Sequence, residues 1–367
     1  MLIYLFFIVI LCLVSMVQLF NKKNTKLLKS CWFIVCLGLI LLSGLRYGLE
    51  TDYWHYYEMF KGTNIVSTTE PAFVVLMRLT KVVTNNFNCF VLLVAIISIG
   101  IKCKIFAKCK YCFVVLLIYY LRYYILFELN AIRQGLAVTF VLIAIYKLIN
   151  NDKKGYIVFS LIAVMFHVSS VVVLGAWFIG NKRCTIKEII IMCGGAMGLR
   201  IFVVEKLLSM GGKYVSFVFN SSNNLINGTK YILYNNHVET VSVVGILRVL
   251  IPVICLYLLQ TEEGSYSNNP KLNKYNLLFK LYLLGATINL LFLGYDTIGY
   301  RLASVFYCIE GLLVGFSLER KQLYSFNRVN IVNLLCYITL IACDLWSFIG
   351  LMNTSDSLIP YRSFIGM

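Results

Sequence analysis

The chain has 367 residues, of which 60% are hydrophobic and 13% are charged. Its mean hydropathy of +0.81 excludes an ordinary soluble domain and predicts an all-α polytopic membrane protein. The net charge of +17 does not indicate nucleic-acid binding, because the lysines and arginines fall in short breaks between apolar runs and form no single basic face.

The membrane-spanning runs follow one another along almost the whole chain. A spanning helix needs about 20 mostly apolar residues, and we expect about 10–12 membrane helices when short or re-entrant ones are included. The first run lacks a basic start and a small-residue cleavage site, so it predicts a span and not a removable signal. In chain order the predicted spans are residues 1–20, 31–45, 87–101, 111–127, 136–149, 189–203, 241–260, 276–294, 302–318 and 331–350.

The basic loops predict which side of the membrane each segment occupies, because short loops rich in lysine and arginine stay in the cytoplasm. We expect one integral membrane domain, residues 1–367, with both termini outside. Residues 46–86 and 204–240 form outer loops, and residues 71–84, too short and too charged to cross, form an interfacial helix. The cytoplasmic basic groups are Lys22 to Lys29, Lys102 to Lys110, Lys153 with Lys154, Lys182 to Lys187, and Arg320 to Arg328.

Residues 156–180 are long enough for one span but are bounded by lysines on both sides. A single crossing would place the later basic loops outside, against the positive-inside rule. Two half-length helices that meet near His167 keep those loops in the cytoplasm, and broken helices are tolerated where they line a polar cavity. The sequence therefore predicts the pair of short helices.

Polar side chains gather on the predicted outer face. Charged groups at membrane depth are costly and usually line a functional cavity. Simpler alternatives exist: Arg46 and Arg301 can snorkel from span ends, His167 can be a hydrogen-bonded core histidine, and the tyrosines can form an interfacial belt. The outer set comprises Arg46, Glu50, Asp52, His55, Glu128, Arg133, Gln134, His167, Asp296, Arg301 and Arg362.

The outer arginines predict a polyanionic ligand, because the guanidinium fork fits phosphate oxygens. Arg133, followed by Gln134 at a predicted helix start, is the hardest to explain without a bound polar or anionic group. Arg301 is a second candidate for the same ligand, and Arg46 either assists it or holds the outer loop.

Acids beside these arginines predict proton transfer. Asp52, and less favourably Glu50, can accept a proton from a sugar hydroxyl, while His167 can orient a phosphate or act as the acid/base partner. No DxD-type carboxylate cluster is present, and the 13 cysteines form no CxxC or zinc-like spacing. The pattern fits glycosyl transfer from a lipid pyrophosphate without a metal or another cofactor.

Several short motifs, in their order along the chain, resemble the EpsG/Wzy-type bacterial polysaccharide polymerases. The family's first outer loop, R-x-x-x-G-x-D-Y-x-x-Y-x-x-x-F, is similar to Arg46 to Phe60, although its Gly-Thr-Asp reads Glu50-Thr51-Asp52 here. The other similar motifs are Glu70-Pro71, Ile132-Arg133-Gln134 with Leu136-Ala137, Phe166-His167 with Ser169, Tyr300-Arg301 and Pro360-Tyr361.

The resemblance implies a metal-independent membrane glycosyltransferase of GT-C-like architecture in the bacterial cytoplasmic membrane. It implies that undecaprenyl-pyrophosphate-linked oligosaccharides are polymerised. The candidate partners are the surrounding membrane lipid, a chain-length regulator and a flippase. Carried onto this sequence, the catalytic residues are Asp52 and His167, and the pyrophosphate- or sugar-binding residues are Arg46, Tyr53, Tyr56, Arg133, Gln134 and Arg301.

Two other classes fit the composition. A flippase of lipid-linked oligosaccharides would also line a cavity with arginine, but should carry charge along a two-sided path or show repeated halves. A membrane O-acyltransferase should have a histidine at a cytoplasmic entrance, whereas all three histidines, His55, His167 and His237, are predicted outside.

Overall fold

The structure is a computed structural model that describes residues 1–20, 25–62, 69–180, 182–204, 242–260, 270–320, 328–354 and 358–364. Within these ranges every regular element is a helix, and the β-type pairing is limited to an isolated antiparallel bridge between Arg46 and Ser363. Seven of the described helical segments are long and apolar enough to cross a membrane. The prediction of an all-α polytopic membrane protein is therefore confirmed.

The described helices are numbered here in chain order. They are α1 (Leu2–Phe20), α2 (Thr25–Gly44), α3 (Thr51–Lys61), α4 (Pro71–Val83), α5 (Phe87–Phe106), α6 (Cys112–Tyr119), α7 (Ile132–Ile149), α8 (Lys153–Phe166), α9 (Ile186–Leu199), α10 (Val243–Leu258), α11 (Pro270–Leu291), α12 (Asp296–Tyr307), α13 (Glu310–Arg320) and α14 (Arg328–Thr354). Two π-helical segments continue α6 and α9, over Tyr120–Asn130 and Arg200–Val204, and a 3-10 helix, Val168–Phe178, follows α8.

The chain forms two compact units. The first comprises residues 1–65, 69–171 and 308–367, and the second consists mainly of residues 172–307, each taken over its described residues. In the second unit Arg200 Nε donates to the carbonyl of Leu293 at 2.7 Å, which ties the end of α9 to the end of α11.

The first unit is built around α6 and the π-helical segment that continues it. Nearly every residue from Cys112 to Asn130 is buried, whereas α1 exposes large apolar side chains such as Phe6 and Leu13. A helix that is apolar all round and buried is a core helix, and apolar residues on an outer helix of a membrane protein are expected to meet lipid.

One predicted basic loop is wrong in its first half. Helix α5 continues to Phe106, so Lys102 and Lys104 lie within a helix and not in a cytoplasmic loop. Lys102 is 1% exposed, and its Nζ lies 2.6 Å from Glu128 Oε1. Glu128, predicted on the outer face, and Lys102, predicted on the inner face, therefore lie at one level of the bundle.

The predicted break near His167 is present. Helix α8 ends at Phe166, His167 is extended with φ −159° and ψ 123°, and the 3-10 helix begins at Val168. Residues 156–180 thus form two short helices. The reversal of direction across the membrane stays a prediction.

The C-terminal segment lies beside the start of the first predicted outer loop. The amide of Tyr47 donates to the carbonyl of Arg362 at 2.9 Å, and the amide of Phe364 donates to the carbonyl of Leu45 at 3.1 Å. These two bonds hold the C-terminal segment against the start of that loop. Of the predicted outer loop 204–240, all but the first residue lies outside the described residues, as does most of the predicted loop 261–275.

Four elements of the first unit bring the candidate site together. Helices α3, α4, α7 and α8 share one hydrophobic cluster, in which Phe73 and Leu136 are fully buried. Phe140 of α7 stacks on Phe166 of α8 with ring centroids 5.1 Å apart. Because α3 and α4 both belong to residues 46–86, this predicted outer loop contains two ordered helices.

Candidate functional site

Glu70 contacts two basic side chains that are distant in the sequence. Its Oε2 lies 2.7 Å from Arg133 Nη1, and its Oε1 lies 2.8 Å from His167 Nδ1. The side chains are only 12%, 26% and 13% exposed for Glu70, Arg133 and His167. A carboxylate between a guanidinium and an imidazole, largely shielded from water, is the geometric centre of the site.

All three residues of this cluster stand at helix ends. Glu70 precedes α4, whose first residue is Pro71, a residue suited to that position because it lacks an amide hydrogen. Arg133 is the second residue of α7, and His167 directly follows the end of α8. Because the chain breaks at each point, these side chains leave the helix packing and meet in one place.

A glycine allows the start of α7 to lie against the preceding π-helical segment. A Cβ on Gly135 would collide with the carbonyl oxygen of Phe127. π-helical turns are rare in proteins, and many of those that do occur lie at functional sites. The close approach at Gly135 fixes the position of Arg133 two residues earlier.

The charge on Glu70 is strongly favoured. Burial opposes ionisation, but the hydrogen bond from His167 and the positive charge of Arg133 outweigh it, and together they lower the pKa of Glu70 to about 2. Glu70 is therefore ionised at neutral pH. An ionised carboxylate accepts from His167 Nδ1, which leaves Nε2 as the basic ring nitrogen.

Tyr56 extends the cluster towards Asp52. The Arg133 guanidinium carbon lies 5.7 Å from the centre of the Tyr56 ring, and the Tyr56 hydroxyl lies 3.5 Å from Asp52 Oδ2. Burial raises the pKa of Tyr56 to about 12, so its hydroxyl stays protonated and can donate. Asp52 is half-buried in the first turn of α3, which lies within the predicted outer loop.

The other predicted loop residues have supporting contacts. The Tyr53 hydroxyl donates to Asn88 Oδ1 at 3.1 Å. Arg46 is 1% exposed, and its Nη1 donates to the carbonyl of Glu128 at 2.9 Å and to that of Ser43 at 2.8 Å. This burial supports the loop-holding role of Arg46 over direct contact with pyrophosphate.

Two predicted ligand residues remain, Gln134 and Arg301. Gln134 is buried directly after Arg133. Arg301 is an exposed residue of α12 and belongs to the second compact unit, so its contact with pyrophosphate stays a prediction. Among the described residues, no group of three or more histidine, cysteine or acidic side chains is arranged to hold a metal ion.

Two buried charge clusters were missed by sequence reasoning. In the first, Glu128 Oε1 accepts from Lys102, Ser98 and Tyr119. In the second, Arg122 Nη1 lies 2.7 Å from Glu310 Oε2 and 3.2 Å from Asp344 Oδ1. Both consist of single charges within apolar runs. The sequence shows that each charge is there, but not which opposite charge it contacts when the helices pack. Glu70 was visible in its Glu-Pro motif, but its role as the centre of the site was not.

A family model described as the EpsG family matches residues 29–363. The chain belongs to the EpsG family. The match covers every residue of the Glu70 cluster, and family membership indicates a polysaccharide polymerase, a glycosyltransferase type of enzyme, in a bacterial membrane. Comparison of this EpsG-family chain with curated proteins and with solved structures found no match.

Proposed function

We propose that this EpsG-family protein joins lipid-linked oligosaccharide units into a surface polysaccharide at the outer face of the cytoplasmic membrane. The expected lipid carrier is undecaprenyl pyrophosphate, as the family resemblance implies. The observation that carries the proposal is the contact of Glu70 with both Arg133 and His167. Glycosyl transfer needs a cation for the leaving pyrophosphate and a base for the attacking hydroxyl, and the cluster contains both.

Arg133 is the proposed partner of the leaving pyrophosphate. One of its terminal nitrogens contacts Glu70, and its Nε is buried with no hydrogen-bond partner among the described residues. A buried donor without a partner is costly, and phosphate oxygens would satisfy it. Glu70 then acts as a positioning residue that holds the guanidinium in place.

His167 is the proposed base, supported by its bond to Glu70. A carboxylate on Nδ1 fixes the imidazole orientation and favours the tautomer with a free Nε2. In the proposed step the acceptor hydroxyl oxygen bonds to the anomeric carbon of the lipid-linked chain, and the bond from that carbon to pyrophosphate breaks. The hydroxyl proton passes to His167 Nε2, and Arg133 stabilises the released lipid pyrophosphate. Asp52, the first choice from sequence, is the competing base.

The proposed chemistry uses side chains alone and draws on no metal. Arginine takes the part that a divalent cation has in other glycosyltransferases, because its fixed charge and planar donors suit phosphate oxygens. A chain-length regulator and a flippase are the candidate partners.

The test is a cell that carries Glu70→Gln in place of the wild-type protein. We expect loss of long polymer and accumulation of single units on lipid carrier in the outer leaflet, at unchanged protein abundance. Accumulation on the cytoplasmic side would instead identify a flippase. Wild-type polymer from Glu70→Gln would contradict the proposed function.

A further inference from the structure

A cleft lies between residues of α3 and the residues around the start of α5. It encloses about 600 Å³, within the range of roughly 300–1,000 Å³ found for small-molecule sites. Its walls combine aromatic rings with amide side chains. The lining includes Tyr47, Trp54, Tyr57, Asn85, Asn86 and Asn88.

Trp54 provides a large flat surface at this cleft. It is 45% exposed, unusual for so large an apolar side chain. Its ring meets those of Tyr47, Tyr53 and Tyr57 edge to face, with interplanar angles of 84°, 85° and 87° and centroids 5.4 to 5.8 Å apart. None of these three rings therefore stacks parallel on the indole.

The backbone at Gly48 passes close to the Trp54 ring. Gly48 has φ +60°, a conformation that favours glycine, and a Cβ at this position would lie only 3.2 Å from Trp54 Cζ2. A side chain at this position would push against the indole. The backbone and the aromatic neighbours restrict the exposed tryptophan before any ligand arrives, which lowers the entropy cost of binding.

Amide side chains line the cleft together with the aromatic rings. Asn86 Oδ1 accepts from the backbone amide of Asn88 and so caps the start of α5. Asn88 Oδ1 accepts from the Tyr53 hydroxyl. Among the described contacts, the Asn88 side chain uses its oxygen, and its two N–H donors remain for another partner. Asn85 is exposed beside them.

We propose that this cleft binds the saccharide of the substrate, one pyranose ring stacking on Trp54 while Asn85 and Asn88 hydrogen-bond its hydroxyls. This inference rests on the proposed function, to which it adds a sugar subsite separate from the Glu70 cluster. A pyranose has one face of C–H groups and a rim of hydroxyls, so it matches a cleft lined by both aromatic rings and amide side chains. An acyl chain would leave the amides without partners, and a bare phosphate would not use the indole face.

Binding is measured on full-length protein in lipid nanodiscs by isothermal titration. The probe is the lipid-free oligosaccharide released by mild acid from the lipid carrier of the producing cells. We expect Trp54→Ala to weaken binding about tenfold, as loss of an aromatic contact does, and Trp54→Phe to restore part of the affinity. The matched control is Trp346→Ala, which removes an exposed tryptophan from α14 and should bind as the wild type does.

The variants separate this inference from the proposed function. Glu70→Gln should lose polymer but keep oligosaccharide binding, because Glu70 does not line the cleft. If Glu70→Gln polymerises normally while Trp54→Ala loses binding, the proposed function fails and the sugar subsite stands. Asn85→Ala, an exposed change, provides a second test if Trp54→Ala does not fold. Wild-type affinity in either folded variant overturns the subsite, as does a Trp54→Ala defect for carrier lipid alone.

Discussion

Glu70 Oε1 lies 2.8 Å from His167 Nδ1, although the two residues are 97 positions apart in the chain. The same carboxylate contacts Arg133 through its other oxygen. One acidic side chain thus orients both His167, the proposed base, and Arg133, the residue proposed to bind the pyrophosphate. This relationship determines how stability and activity should respond to substitution.

The first prediction is a pH dependence of stability. The contacts of Glu70 lower its pKa from 4.5 to about 2, so its stabilising contribution is complete above the unfolded value and is lost as the pH falls from 4.5 towards 2. The melting temperature of Glu70→Gln should therefore lie below that of the wild type at neutral pH. The gap should narrow below pH ~4.5, measured by thermal unfolding in detergent. A gap that stays constant down to pH ~3 would contradict the assigned contacts.

The second prediction concerns Arg133→Lys. Lysine keeps the positive charge but is a point donor that cannot reproduce a planar guanidinium fork. We expect a loss of polymerisation of ~10²-fold or more, as for removal of one oxyanion donor, measured as polymer length on gels at equal protein abundance. Arg78→Lys, an exposed arginine of α4, is the matched control and should polymerise normally. Long polymer from Arg133→Lys would refute the role.

The third prediction separates the two candidate bases. His167→Gln can still donate to Glu70 but lacks a basic nitrogen, and should lower the rate by ~10²–10⁴-fold, the usual contribution of a general base. Asp52→Asn should have a smaller effect, because Asp52 contacts the cluster through Tyr56 and not directly among the described contacts. Radiolabelled transfer between lipid-linked units in membranes measures both. The reverse ranking would return the base to Asp52, and normal rates in both would exclude the cluster as the catalytic centre.

The fourth prediction concerns the turn before α3. Glu50 has φ 66° and ψ 156°, a region adopted almost only by glycine, where other residues carry strain of ~1–3 kcal/mol. Glu50→Gly should therefore raise the melting temperature and leave polymer length intact. Gly48→Ala should lower it, since alanine is strained at φ +60° and its Cβ meets Trp54. If the two variants shift stability in the same direction, the turn geometry is wrong.

The fifth prediction tests membrane topology with a native cysteine. Cys89 is exposed near the start of α5, at the end predicted to face outward. A membrane-impermeant maleimide should label it in intact cells, and Cys89→Ser should remove that labelling. In the Cys89→Ser background, Arg183→Cys should stay unlabelled. Labelling at position 183 would overturn the reversal predicted for the two short helices of residues 156–180.

Composition and periodicity were enough to determine the class of protein and most of its long helices. An apolar run of about 20 residues forms a helix in a bilayer because its backbone polar groups must bond to one another. The break at His167 was also predictable, because unbroken crossing would have reversed the basic loops. Both follow from the pattern of apolar and basic residues along the chain, without knowledge of which segments pack together.

Only the tertiary structure decided which polar groups meet. Arg46 looked like a ligand-binding arginine in the sequence, but packing buries it against the Glu128 carbonyl. Lys102 looked like a loop lysine, but it lies inside the bundle against the Glu128 side chain. Glu70 became the centre of the site because three helix ends converge there. Packing between distant segments determines which side chains contact each other. Hydropathy describes how apolar a segment is, but it contains no information on which other segment that segment contacts.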